Sequence, residues 1–182
     1  MARIGIQLMM LKDHIAEQGV LPVLEKVRET GFSVVEVSQI PHDRGERRSD
    51  GERAGLPRHR VRRDLRQDLR PPADSDDLTL EKHLDVHVEH ARRLGTDKIR
   101  IGMMPFTAMA TAETFRDFAR EADGYAQRLG EQGISLSYHN HHIEFTKLEG
   151  RTLLEHLREL APPHLRFEID CHWVARGGRD PE

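Results

Sequence analysis

The sequence predicts an α/β fold of the (β/α)8-barrel type, carried incompletely, and three observations predict it. Short runs that alternate polar and apolar residues take turns with stretches of helical periodicity, which implies a parallel sheet covered by helices. Strand starts fall at Ile4, Val34, Lys98, Ile134 and Leu165, at intervals of 30, 64, 36 and 31 residues, so that Val34 to Lys98 is about double the others. Within the strands one face is polar, whereas a flat sheet buried on both faces reads as continuous apolar runs. The double interval leaves room for one further strand, giving about six β/α units in all. An eight-unit barrel runs to about 250 residues, and the chain has 182. Residues 1–182 are therefore expected to form one partial barrel domain in which strands seven and eight are missing.

Each element has its own signal. Ile4-Gly-Ile-Gln-Leu-Met9 alternates with the period of a strand. Val20, Val23, Leu24 and Val27 recur at helical spacing, with Gly31 placed to end the helix. Val34–Ser38 is a second strand. Asp77 or Thr79 can cap a helix with the stripe Leu80, Leu84, Val88, Ala91 and Leu94, stopped by Gly95. Lys98–Gly102 is a strand. Thr111 opens a helix carrying Phe115, Phe118, Ala122, Tyr125 and Leu129 on one face. Ile134–Tyr138 is a strand, Leu153–Leu160 a helix and Leu165–Asp170 a strand. Parity then assigns faces: Leu165, Phe167 and Ile169 point one way, and Arg166, Glu168 and Asp170 the other. Likewise Lys98 and Arg100 oppose Ile99 and Ile101, and Glu36 opposes Val35 and Val37. In a barrel the apolar set meets the outer helices and the polar set enters the lumen.

The missing strand falls in a stretch unlike the rest. From His42 to Pro72 there are ten arginines and almost no adjacent apolar residues. Outside 42–72 the chain is acidic, and the net charge of -3 gives no reason to expect nucleic acid as a partner. The single cysteine, Cys171, excludes an intrachain disulfide and fits a reducing compartment. Residues 1–6 lack the layout of a signal peptide, and no apolar run approaches the roughly 20 residues that span a bilayer. The expectation is a cytoplasmic protein with no membrane partner.

Two clusters could carry chemistry. Tyr138-His-Asn-His-His-Ile-Glu-Phe145 and Glu168-Ile-Asp-Cys-His-Trp173 both lie at the C-terminal ends of strands, where barrel active sites are assembled. Imidazoles and carboxylates from neighbouring strands suit a divalent cation: Mn²⁺, Mg²⁺, Co²⁺ or Zn²⁺. Trp173 could wall a sugar site with its ring face, or fill a gap. Glu36 could line the site or pair with Arg100. Gly177-Gly178 reads as a turn rather than a phosphate cradle. Cys171 and His172 are not expected to act as a nucleophile and base, because neighbours on a strand point to opposite faces.

The sequence resembles the sugar phosphate isomerase/epimerases, built on a xylose-isomerase-like TIM barrel. The likeness rests on Ile4–Leu8 with Gly31–Glu36, on Tyr138–Phe145, and on Phe167-Glu-Ile-Asp-Cys-His-Trp-Val-Ala-Arg-Gly-Gly-Arg-Asp-Pro181. It covers residues 1–41 and about 78–182. The resemblance implies a metal-dependent isomerase or epimerase acting on a keto-sugar or sugar phosphate. In such families two glutamates, an aspartate and a histidine hold the cation. By motif position Glu144 is the first glutamate and a catalytic carboxylate, and Asp170 is the aspartate. His139 and His141 hold substrate hydroxyls or support the metal shell. A carboxylate removes a proton next to the polarised carbonyl and returns it elsewhere through an enediolate. The remaining histidine and glutamate belong to strands seven and eight, so half of the shell is expected to be absent and turnover to be low. A homo-oligomer is one way to close such an open barrel. Segment 42–72 resembles nothing in the family and reads like a stretch translated out of frame; sequencing the encoding DNA for a compensating insertion and deletion tests this. Alternatives are a dehydratase of the inositol-pathway type, an endonuclease acting at abasic sites, and a non-catalytic remnant or binding module.

Overall fold

Alternation at the start of the chain becomes β1 (Gly5–Gln7), which pairs in parallel with β2 (Val34–Val37) in the register Gly5 to Val34, Ile6 to Val35 and Gln7 to Glu36. The computed structural model describes residues 4–38, 79–160 and 163–182, with the backbone alone at 62–67. Asp77 and the arginine-rich stretch other than 62–67 lie outside the described residues. The chain divides into two compact units, Met1–Asp64 and Leu65–Glu182.

In the first unit a 3-10 turn at Leu8–Leu11, helix α1 (Lys12–Gln18) and helix α2 (Val20–Glu29) connect the two strands. Leu8, Ile15, Val23, Val27 and Val35 form its core. Helix α1 has no counterpart among the expected elements, since its sole buried residue is Ile15 and no apolar stripe announces it. Gly19, at φ 83°, separates the two helices. Pro22 falls in the first turn of α2, where a missing N–H costs nothing. Gly31, at φ 94°, ends α2 as expected.

The second unit holds four parallel strands. The strand expected inside the arginine-rich stretch is β3 (Arg62–Gln67), whose Leu65 lies opposite Ile99. β4 (Lys98–Ile101) pairs with β5 (Ser135–His139). A hairpin of β6 (Lys147–Leu148) and β7 (Arg151–Thr152) follows β5, turning through Glu149 and Gly150, both at positive φ. β8 (Arg166–Glu168) adds to the other edge of β5.

Helix α3 (Leu80–Leu94) begins at Thr79, whose side chain accepts from the Lys82 N–H, and ends at left-handed Gly95. Helix α4 (Ala112–Gly130) opens with a reciprocal box in which Thr111 and Thr114 cap each other's backbone N–H. Its Phe115, Phe118, Ala122 and Leu129 are buried, and the Phe118 ring meets Tyr138 edge-on at 6.1 Å. Leu136 and Tyr138, both fully buried, thus mark the helix-covered face of β5, shared by Ile99 and Ile101 on β4. Helix α5 (Leu153–Leu160) matches its predicted span.

The last strand needs two corrections. It ends at Glu168 rather than Asp170, because Asp170 caps a helix, α6 (Cys171–Arg176), by accepting from the His172 and Trp173 N–H groups. Cys171 and His172 are therefore helical neighbours, roughly 100° apart around an axis, and still do not face each other. Ile169, placed by parity on the covered face, is 51% exposed. Gly177 closes α6 in the expected turn, and a side chain there would meet the Phe145 ring at 2.4 Å. Among the described residues no helix is long and apolar enough to cross a membrane.

Candidate functional site at the ends of strands β4, β5 and β8

Arg100 stands on the lumen-type face of β4, opposite in parity to Ile99 and Ile101, and is 1% exposed. Its Nη1 donates to Glu168 Oε1 at 2.6 Å. The same oxygen lies 3.1 Å from His139 Nδ1, and His139 Nε2 lies 3.7 Å from Asp170 Oδ2. Strands β4, β5 and β8 and the cap of α6 thus contribute one chain of polar contacts: Arg100, Glu168, His139, Asp170. His139 is almost fully enclosed, whereas the Glu168 and Asp170 side chains keep 35% and 30% of their surface. A buried guanidinium is costly unless paired, so Glu168 stabilises Arg100 while Arg100 fixes Glu168. Both of these bonds fall on one oxygen of Glu168, and the side chain keeps part of its surface exposed.

Asn140, fully buried, holds the ends of β5 and β8 together. Its Oδ1 accepts from the Asp170 N–H at 2.9 Å and its Nδ2 donates to the Asp170 carbonyl at 3.3 Å. Aromatic rings extend the site outward. The His141 ring lies 4.9 Å from His139 and 5.2 Å from Trp173. Trp173 is also met by His142 at 5.3 Å and His172 at 4.9 Å, with the Arg176 guanidinium 5.6 Å above its ring.

Of the predicted residues, the fold brings together His139, His141, Asp170 and Trp173. Glu144 lies in the same loop but is 0% exposed. The Tyr138 hydroxyl donates to its Oε1 at 2.5 Å, and the His141 N–H donates to its Oε2 at 2.7 Å. Burial, and then the Glu144 carboxylate, push the Tyr138 hydroxyl well above its ordinary range, which keeps it a donor. Glu36 lies in the first unit, where the Gln7 amide donates to both of its oxygens at 3.1 and 3.2 Å. Glu36 and Arg100 belong to different units, and within its own unit each has a partner, Gln7 for Glu36 and Glu168 for Arg100.

Among the described residues no three His, Cys, Asp or Glu side chains are arranged to hold a cation. Glu144, which its motif implies as a ligand, is enclosed, and each of its oxygens accepts one bond from its own chain. Glu168 lies inside a cluster and a motif that the sequence marks but received no role there, and Arg100 was considered only as a partner for Glu36. Their parity with Asp170 and Lys98 marked the face they occupy, but no local pattern tells which charges on neighbouring strands will meet.

Solved structures resemble this chain along nearly its whole length. A sugar phosphate isomerase/epimerase from Parabacteroides distasonis matches with TM-score 0.72 and 19% identity, covering 98% of this chain and 68% of that one. A probable 3-DHS dehydratase involved in petrobactin synthesis from Bacillus anthracis matches at 0.68 and 14%, covering 99% and 67%. An AP endonuclease of family 2 from Brucella melitensis matches at 0.63 and 17%, covering 96% and 70%. No family model and no curated protein matches the sequence. At these identities the likeness establishes fold and not activity: the chain has the xylose isomerase-like TIM-barrel fold, in an incomplete form.

Proposed function

We propose that the chain binds a keto-sugar or sugar phosphate at the ends of β4, β5 and β8 and acts on it as an isomerase or epimerase. The observation that carries this reading is the Arg100–Glu168–His139–Asp170 chain, which presents two half-open carboxylates beside an aromatic surface. Trp173 and the imidazoles around it offer flat faces to a sugar ring. Glu168 is the proton acceptor: Arg100 holds one of its oxygens and leaves the other for a C–H next to the substrate carbonyl. Asp170 Oδ2 accepts a substrate hydroxyl, while Oδ1 is retained by the cap of α6. These steps are the ones that the chain's own side chains can take.

Loss of water from the same enediolate would make the chain a dehydratase, a reading favoured by its likeness to the Bacillus anthracis structure. Both readings require exchange of the proton next to the carbonyl. The test is deuterium uptake into keto-sugars and their phosphates in D2O, followed by NMR. Uptake that disappears in Glu168→Gln supports proton transfer, and the product separates epimer from dehydrated species. Binding without uptake would leave a binding module; neither binding nor uptake across the panel would end the proposal. Thermal melts with Mn²⁺, Mg²⁺, Co²⁺ and Zn²⁺ test separately whether any cation binds the folded chain, since a ligand of the native state raises Tm.

A further inference from the structure

The site draws on both faces of the sheet. Arg100, His139 and Glu168 share the lumen-type face. Tyr138 belongs to the opposite face, against Phe118 of α4, and it is the Tyr138 hydroxyl that holds Glu144. The same hydroxyl accepts from the Met104 N–H at 3.1 Å, so one phenol oxygen connects the loop after β4 with the loop after β5. The other oxygen of Glu144 takes the His141 N–H, fixing the backbone from which that imidazole reaches between His139 and Trp173. Tyr138, Met104 and Glu144 are each 0% exposed. Glu144 thus presents no surface to a ligand, whereas the Glu168 and Asp170 side chains keep 35% and 30% of theirs.

We propose that Glu144 is a positioning residue, a buried lock joining the loops after β4 and β5 through Tyr138 and His141, and that the ligand-facing carboxylates are Glu168 and Asp170. The lock does not depend on the isomerase reading, and a chain that turns over no sugar leaves it intact. Its physical basis is that a buried donor or acceptor deprived of its partner costs more than the bond itself contributes. The two bonds to Glu144 hold in place a loop that has no other regular structure than the 3-10 turn at Ile143–Phe145.

The experiment uses the full chain with Tyr138→Phe, Glu144→Gln, their double variant and Asp170→Asn. Without metal, the first two each lower Tm by several degrees. The double variant loses less than their sum, because both disturb the same Tyr138–Glu144 contact, Gln offering a single acceptor oxygen to two donors. Amide exchange rises at Met104 in Tyr138→Phe and at His141 in Glu144→Gln. If MnCl2 raises the Tm of the wild type, that rise persists in Glu144→Gln and shrinks in Asp170→Asn; a wild type indifferent to MnCl2 agrees with the lock and leaves the cycle to decide. Additive effects in the cycle, an unchanged metal-free Tm, or a MnCl2 response lost specifically in Glu144→Gln would overturn the proposal. Should Glu144→Gln fail to fold, Tyr138→Phe decides alone: it keeps every carboxylate, so a ligand role for Glu144 predicts no loss of Tm and no faster exchange at Met104.

Discussion

Asn140 replaces a rung of the sheet with a side chain. Its amide copies the donor and acceptor of a peptide and holds Asp170 where β8 has already ended. Asn140→Ala takes this partner from the half-buried Asp170 N–H and carbonyl, and is expected to cost about 1–3 kcal/mol, read from urea denaturation. Tyr138 yields a second prediction. Its folded-state pKa is raised, so folding is favoured below the ordinary value of 10.0 and disfavoured as pH rises above it, where only the unfolded chain ionises. Stability of the wild type should therefore decline more steeply above that pH than stability of Tyr138→Phe. At this scale sequence reasoning saw types and faces but not partners. His139, His141, Asp170 and Trp173 were legible because they cluster at two strand ends. Glu144 looked equivalent to them, and only the Tyr138 hydroxyl, reaching it across six positions, shows that it is enclosed.

Caps decide the element scale. Thr152 and Glu155 form a reciprocal box at the start of α5: the Thr152 N–H and hydroxyl donate to Glu155, and the Glu155 N–H donates to Thr152 Oγ1. The backbone bond from Thr152, then its hydroxyl, hold the Glu155 carboxyl below the ordinary 4.5. Stability from this box is present above that value and is lost as pH falls through the lowered folded-state pKa. Thermal melts from pH 6 to 3 should show a steeper fall in the wild type than in Glu155→Gln. Where α6 ends, Gly177→Ala must displace the Phe145 ring, with an expected cost of about 1–3 kcal/mol, measurable by denaturation at neutral pH. The long helices were readable from apolar stripes bounded by Thr79 and Gly95 or by Thr111. The short ones were not: α1 buries one residue and α6 is six residues long, so neither offers a period to detect.

At the scale of the whole molecule, the two units differ in how much they enclose. Among the described residues the first buries five apolar side chains, Leu8, Ile15, Val23, Val27 and Val35. In the second, Ile101, Leu129, Leu136, Tyr138 and Leu157 are all 0% exposed, and a full burial of this kind contributes about 1.5–3 kcal/mol per side chain. Amides of β4 and β5 are therefore expected to exchange more slowly than those of β1 and β2 in hydrogen-exchange mass spectrometry, since local opening follows local burial. Equal protection would mean that the units open together. The regular spacing of strand starts made the architecture legible at this scale, and β3 appeared inside the double interval that implied it. Trp173 is the only tryptophan of the chain, and three imidazoles and a guanidinium surround it. The protein thereby carries one native fluorophore, seated in its candidate site, whose brightness and colour will follow any molecule that settles there without a label being attached.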